Sequence, residues 1–427
     1  MGAVCRSESE PRVRQVYTLD ECIEIGLQQA AVARNALRDE QIAGRRIGQV
    51  RAQLLPQVSG KGSYTRLDSV PEFEFDGERF VMGREDNYAA KAEVSQLLYA
   101  GGSVGAALKA ASLYRDSARA QVLRIESELV RDIRVAFAGI LLADAQVEVQ
   151  AASLSQWQDL LAQAEARFRQ ETASEYDVLA ARVRVANEQP ALLRARKQAE
   201  LARVAFRNLV QFEAADFDLD GDLVFEPFDR PLAEWQALAT EQRPELLELR
   251  NLLGMREAEI RAERGGGLPQ VRAFAGYSGE NPESGSSRDE WEWGWNAGVS
   301  LEWSLFDGAL RRNRVAELKL ELEKARESLA DVERRIALEI QSHFLDLQLA
   351  AETVTAGAET VELAQKGLDI ARTRYENGLA TYLDYTEANL ALSTARLTHL
   401  QARHDHMNAL ARLRQASGET FETGDTQ

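Results

Sequence analysis

From Trp291 to Leu305, the extent of the strand it predicts, the chain alternates between apolar and polar positions. Trp291, Trp293, Trp295, Ala297, Val299, Leu301, Trp303 and Leu305 fall on one side, with Glu292, Gly294, Asn296, Gly298, Ser300, Glu302 and Ser304 on the other. Period two predicts a β-strand, and this one is long enough to cross a bilayer at the usual tilt of ~45°. Three further strands are expected at about 57–66, 88–98 and 270–279. Val58, Gly60, Gly62 and Tyr64 share a face, as do Val271, Ala273, Ala275 and Tyr277, and Tyr88, Ala90, Ala92, Val94 and Leu98. Small apolar residues with aromatics toward the ends fit a lipid-facing band. Tyr64, Tyr277, Trp291, Trp293, Trp295 and Trp303 are its expected interfacial girdle.

Elsewhere the period changes. Leu318, Leu322, Ala325, Leu329, Val332, Ile336, Ile340, Phe344, Leu347, Ala351, Val354, Ala358, Val361, Ala364, Leu368, Ala371 and Tyr375 recur in steps of three and four, the mark of a helix packed along a narrow seam. No proline interrupts 309–376 or 103–169, so each predicts a helix roughly 100 Å long at 1.5 Å per residue. Turns at 169–174 and 377–381 fold these helices into antiparallel hairpins over 103–212 and 309–416, the second marked by Asn377-Gly378.

The pattern is written twice. LLPQVSGKGSY at 54–64 returns as GLPQVRAFAGY at 267–277, a shift of 269 − 56 = 213 measured at the prolines. Leu98, Tyr99 and Gly101 return as Leu305, Phe306 and Gly308, and Arg167, Phe168, Ala173, Ser174 and Asp177 as Arg374, Tyr375, Ala380, Thr381 and Asp384, both at 305 − 98 = 207. The six-residue difference lies between Pro56 and Tyr99, in the loop that joins the first two strands. Five segments follow: a tail at 1–16, a first repeat at 17–212, a linker at 213–243, a second repeat at 244–416 and a tail at 417–427. Each repeat reads helix, strand, loop, strand, long helical hairpin.

Composition narrows the function. Nine prolines in 427 residues suit long helices, and 51 basic against 68 acidic residues, a net −17, disfavour nucleic-acid binding. With no run of ~20 apolar residues, no transmembrane helix is expected, so any membrane crossing falls to the strands. Cys5 and Cys22 are not spaced as a metal site, and Cys5 is a candidate for lipidation. The first residues carry no apolar signal-peptide core, pointing to a missing leader. His399, His404 and His406 are read as solvated, His404 and His406 lying on different helix faces. No phosphate loop, nucleophile elbow or metal-ligand cluster is present, so neither enzyme nor cofactor is expected.

Four bilayer-length strands cannot close a barrel, and an open edge in lipid leaves N–H and C=O groups unpaired at several kcal/mol each. Oligomerisation is required, and three copies give twelve strands around a lumen. At this point YTLDECIEIGLQQA at 17–30, both LPQ strand openings, SQLLYAGG, EWSLFDGA and RYENGLATYLDYTEANLAL at 374–392 resemble the TolC-type outer-membrane efflux proteins over nearly the whole chain. The resemblance implies a mainly α fold with a membrane β-barrel portion: a homotrimer with a 12-strand barrel in outer-membrane lipid and a periplasmic tunnel of helical hairpins. It also implies an exit duct of a Gram-negative bacterium serving an inner-membrane transporter through a periplasmic adaptor, in efflux or type I secretion.

The resemblance suggests a gate as well. Asp384 and Glu387 match acidic rings at the periplasmic aperture, and Asp177 and Tyr375 match a closing contact between helical hairpins. Asn377, Gly378, Ala380 and Thr381 match the turn where adaptors dock. Ala380 stands where such a gate can carry arginine, so a charge-paired lock is not expected; Glu171 in place of a first-repeat glycine weighs against equivalent docking there. Asp177 and Asp384 also lie just inside helix N-termini, where a carboxylate is favoured by ~0.3 to 1 kcal/mol, so capping is a second account of both. The rival to a channel is a soluble periplasmic coiled-coil scaffold without a pore.

Overall fold

The computed structural model describes residues 15–70, 72–75, 77–81, 85–212, 216–281 and 291–419; Cys5 lies outside them. Most of the described residues lie in helices, which makes the fold mainly α.

The chain begins with β1 (Gln15–Tyr17), α1 (Leu19–Gln29) and α2 (Ala31–Ala52). Thr18 caps α1 in a capping box with Glu21. The single leading helix expected in each repeat is thus two helices, broken at Ala30. Ahead of the second pair of strands, α5 (Leu232–Gln242), a helix within the expected linker 213–243, and α6 (Pro244–Gly265) break at Arg243. There the reason is Pro244, which disfavours the α region for the residue before it and leaves Arg243 extended at ψ 121°. The repeat offset is kept to the residue: 232 − 19 = 213 and 244 − 31 = 213.

Between these helices run β2 (Gln57–Arg66), a short hairpin β3 (Glu72–Phe75) and β4 (Glu78–Val81), β5 (Asp86–Ala100), and the long hairpin α3 (Ser103–Arg169) and α4 (Glu175–Val210). The β3–β4 pair falls in the acidic segment read from sequence as plain loop. β6 (Phe217–Leu219) pairs parallel with β1, giving extended structure to parts of both the expected tail and the linker. The second repeat continues with β7 (Gln270–Glu280), β8 (Glu292–Glu302), α7 (Leu310–Glu376) and α8 (Tyr382–Ala416), with α7 displaced from α3 by 310 − 103 = 207. Gly101 and Gly102 join strand to helix at φ 63° and 79°, and Gly308 and Ala309 do so at 65° and 68°.

Two compact units emerge, Met1–Leu37 with Ala120–Leu246 and Asp331–Gln427, and Arg38–Arg119 with Leu247–Ala330. The first holds a core of Cys22, Ile23, Ile133, Phe137, Ile140, Phe206, Val210, Phe212 and Phe217. Four of its aromatics, Phe137, Phe206, Phe212 and Phe217, meet at centroid distances of 5.1 to 6.3 Å. Arg203 of α4 binds Asp144 of α3 at 2.6 Å and the Phe217 carbonyl at 2.9 Å, tying the hairpin to β6. The seam of α7 is real: Leu322, Ile336, Ile340, Leu347, Val354, Leu368 and Tyr375 are all buried.

Two expectations need correction. One window of α3 is long and apolar enough to cross a membrane by length and composition, and the same helix supplies Leu129, Val130, Ile133, Phe137 and Ile140 to the core. His406 is not solvated: it is fully buried against Phe225 at 4.7 Å, with neither ring nitrogen hydrogen-bonded, and burial lowers its pKa. A segment outside its own helix covers it, and helical periodicity carries no information about that segment.

Candidate functional site

Two places carry the features that composition and repeat point to. The first is the sheet β2-β5-β7-β8, antiparallel throughout. Its register aligns the apolar positions of all four strands. Val58, Val94, Ala275 and Ala297 lie side by side, as do Gly60, Ala92, Tyr277 and Trp295, and Gly62, Ala90, Gly279 and Trp293. Because side chains alternate between faces, one face of the whole sheet is apolar. It is not covered within the chain: Trp295 is 79% exposed, Leu301 67% and Val299 66%. Near the strand ends that lead into loops, Tyr277 stacks on Trp293 at 5.3 Å, Trp291 on Trp293 at 5.6 Å, and Tyr64 meets Tyr88 at 5.0 Å.

Two details depart from the alternation. A bulge between Leu97 and Tyr99 places Tyr99, not Leu98, opposite Val271 on the apolar row. The fourth strand stops at Glu302 instead of 305, so Trp291 and Trp303 flank it. The next partner after Gln270 would be Pro269, which has no N–H to extend the ladder. Trp303 instead donates its Nε1–H to the Gly267 carbonyl at 3.2 Å. The opposite face carries Lys61, Lys91, Glu93, Arg272, Asn296 and Ser300. Neither outer edge, on β2 or on β8, has a strand partner among the described residues.

The second place is the turns of the two helical hairpins. Both helices end in the same motif. At the second turn Leu379 N–H reaches the Arg374 carbonyl at 2.8 Å and Gly378 N–H that of Tyr375 at 3.1 Å. At the first, Thr172 N–H reaches Arg167 and Glu171 N–H reaches Phe168, each at 3.0 Å. Gly378 takes φ 72° and Glu171, its counterpart, φ 60°. The glutamate thus adopts the conformation that glycine adopts more cheaply. Asn377, Gly378 and Thr381 are exposed and Ala380 half-buried.

The returning helices start identically too. Thr381 N–H and Oγ1 each donate to Asp384 Oδ2 at 2.8 Å, and Asp384 N–H returns to Thr381 Oγ1 at 3.2 Å. Ser174 and Asp177 repeat this box at 3.1, 2.8 and 3.2 Å. Both carboxylates therefore act as capping groups, and the hydrogen bonds from Thr381 hold the Asp384 carboxyl below the usual carboxylate range. Glu387 is exposed beside a groove of about 590 Å³ lined by Thr353, Gly357, Leu390 and Thr394.

Tyr375 is 7% exposed. The Arg167 guanidinium lies 4.4 Å above its ring and donates to its carbonyl at 3.4 and 3.5 Å, a cation–π contact joining the two hairpins. Tyr385 stacks on Tyr375 at 5.5 Å and Tyr382 approaches it edge-on at 6.2 Å. Burial raises the pKa of all three phenols, that of Tyr382 to about 12, and its hydroxyl has no hydrogen-bond partner. Asp177 adds a smaller upward push on Tyr375 and Tyr382, but its own hydrogen bonds go to Ser174. Arg167, Tyr382 and Tyr385 escaped the sequence reading as site residues; the spacing of seven and ten from Tyr375 to the other tyrosines was the available signal.

The sequence model of the outer membrane efflux proteins matches residues 26–210 and 235–419, one match per repeat. The alkaline protease secretion protein AprF of Pseudomonas aeruginosa is 25% identical over 299 residues, 68% of this chain and 61% of AprF. The outer membrane protein TolC of Escherichia coli is 23% identical over 194 residues, 43% of this chain and 39% of TolC. The chain thus spans less than two thirds of the curated relatives it matches. Among solved structures, the CmeC outer membrane channel of Campylobacter jejuni superposes with a TM-score of 0.79 at 15% identity, covering 96% of this chain and 87% of CmeC. The MtrE outer membrane channel of Neisseria gonorrhoeae, in its open state, gives 0.77 at 17%, covering 96% and 93%. At such identities these two establish a shared fold.

Proposed function

The chain belongs to the outer membrane efflux protein family, and from that premise we propose that it is a passive exit duct through the outer membrane of a Gram-negative bacterium. The observation that carries this reading is the sheet: an exposed apolar face continuous in register over four strands, bounded by two edges that need partners. In hydrocarbon each unpaired edge group costs several kcal/mol, so the edges are satisfied only when β8 of one copy pairs with β2 of the next. Three copies close a twelve-strand barrel wide enough for a lumen. Each repeat, 17–212 and 244–416, contributes one strand pair and one helical hairpin, the hairpins together forming a periplasmic tunnel and 213–243 joining the repeats.

At the periplasmic end, Asp384 and Glu387 from three copies face a narrow axis and favour cations. Asp177 and Tyr375 belong to the closing contact, with Arg167 and the adjoining tyrosines as its packed interior. Asn377, Gly378, Ala380 and Thr381 form the turn that an adaptor grips, and an inner-membrane transporter supplies the energy. Both small-molecule efflux and type I secretion of proteins fit such a duct, the similarity to AprF favouring secretion for the stretch it covers. No catalytic step is involved.

Reconstitution of the purified protein in planar bilayers tests the reading. Discrete conductance steps from a heat-modifiable trimer are expected, with cation preference weakened by Asp384→Asn with Glu387→Gln. A monomer soluble without detergent and silent in bilayers would instead match a periplasmic scaffold.

A further inference from the structure

Charges on the polar face of the sheet are sorted by level. Lys61 and Lys91 are direct register partners in adjacent strands, and the same row continues through Ser278 and Gly294. One row nearer the loops, Ala89, Glu280 and Glu292 lie abreast. One row nearer the helices stand Ser59, Glu93, Gly276 and Asn296. Like charges placed directly opposite one another destabilise a sheet pair, yet this sheet places Lys61 against Lys91 and Glu280 against Glu292 on one face.

The two lysines differ in their surroundings. Lys91 forms an ion pair with Glu93, and its stem runs over Gly276, where an added Cβ would come within 3.6 Å of Lys91 Cε. Lys61, on the exposed strand β2, makes no ion pair among the described residues, though its charge contributes to holding the Glu93 carboxyl below its ordinary range. Ser278 and Gly294 add no charge to this row, and the carboxylates of β7 and β8 nearest it, Glu280 and Glu292, stand one row nearer the loops.

From this we infer that Lys61 and Lys91 form a cationic belt lining the barrel lumen that binds polyvalent anions, behind an acidic mouth made by Glu280 and Glu292. The inference rests on the channel reading, since only closure of the sheet by three copies turns the row into a ring of 2 × 3 lysines. A ring of like charge in a narrow, low-dielectric wall focuses potential and selects ions of opposite sign. Its ligands are solutes carrying several phosphate, sulfate or carboxylate groups, and a single Lys61 charge per subunit is its unneutralised part.

Single-channel recording with inositol hexakisphosphate added on the loop side tests this. Voltage-dependent block is expected, weakened about tenfold or more in Lys61→Gln and abolished in Lys61→Gln with Lys91→Gln. Lys61→Arg should keep the block, and Glu93→Gln should strengthen it by releasing the Lys91 charge. Channels that open normally yet are blocked equally with and without the lysines overturn the belt while leaving the duct intact. A protein that forms no channel overturns both.

Discussion

The two repeats share one backbone and disagree about which residues hold it. Among the described residues, three other than glycine adopt positive φ, Glu171, Gln211 and Ala309. Their counterparts at the offset of 207 are Gly378, Gly418 and Gly102, also at positive φ. Left-handed backbone is therefore required at these helix ends in both halves, while the residue supplying it is set by what stands nearby. At Gly418 a Cβ would come within 2.9 Å of the Gln242 carbonyl carbon and the Arg243 nitrogen, so glycine is needed for space as well as for φ. At Gly102 and Gly378 a Cβ would meet open space, and only φ matters.

The largest expected effect breaks this correspondence where space is short. Gly418→Gln, which copies the first repeat, should cost about 2 to 4 kcal/mol through clash and strain, whereas Gln211→Gly should be neutral or stabilising by up to about 1 kcal/mol. Thermal unfolding of the two variants measures the asymmetry. Equal effects would mean that local backbone preference alone decides these positions.

A second contrast lies in the last helix of each repeat, where buried His406 corresponds to buried Ala199 (406 − 207 = 199). The folded pKa of His406 is lowered, so its neutral form is favoured. Its stability contribution is present above the ordinary histidine value of about 6.5 and is lost as pH falls below it. Acidification should therefore lower the melting temperature, and His406→Met should remove that slope while stabilising by about 1 kcal/mol at neutral pH. A slope surviving in His406→Met would place the acid sensitivity elsewhere.

Exchange at the turns should have smaller and opposite signs. Gly378→Glu should cost about 1 kcal/mol and Glu171→Gly return a similar amount. The caps sharpen the comparison from the other side, because their geometry is the same. Ser174→Ala and Thr381→Ala should each cost about 1 kcal/mol. Asp384 has a lowered folded pKa, so its share is present above the ordinary carboxylate range and disappears as pH falls through the folded value. Asp384→Asn should flatten the stability profile there.

The smallest effect concerns the tyrosines. Tyr375, Tyr382 and Tyr385 stand where the first repeat has Phe168, Glu175 and Val178, at the same offset of 207. With the Tyr382 phenol raised to about 12, the folded state favours its neutral form, and that preference is lost as pH climbs from about 10 through 12. Tyrosinate absorbance should show this late titration, and Tyr382→Phe should remove it with little change at neutral pH.

Much of this architecture is written in short-range patterns. Period two from Val58 to Tyr64 and from Trp293 to Leu301 became strands whose apolar residues share a face, and the proline-free seam from Leu322 to Tyr375 became one helix. Such features depend on residues a few positions apart, and a single chain suffices to show them. The offsets of 213 and 207 likewise relate the equivalent turns of the two repeats by sequence alone.

Other features depend on residues brought together from distant parts of the chain. The burial of His406 follows from Phe225, the face change at Leu98 from a bulge against β7, and the end of β8 from Pro269 across the ladder. Arg167 meets Tyr375 across 208 residues of sequence. The sequence by itself determined the long helices, the four long strands with their apolar faces and that the unit occurs twice, because periodicity and local sterics act within a few residues. Only the tertiary structure decided which polar groups are buried, which arginine meets Tyr375 and which charges share a row, because desolvation and cross-strand register are set by neighbours that the linear order does not name.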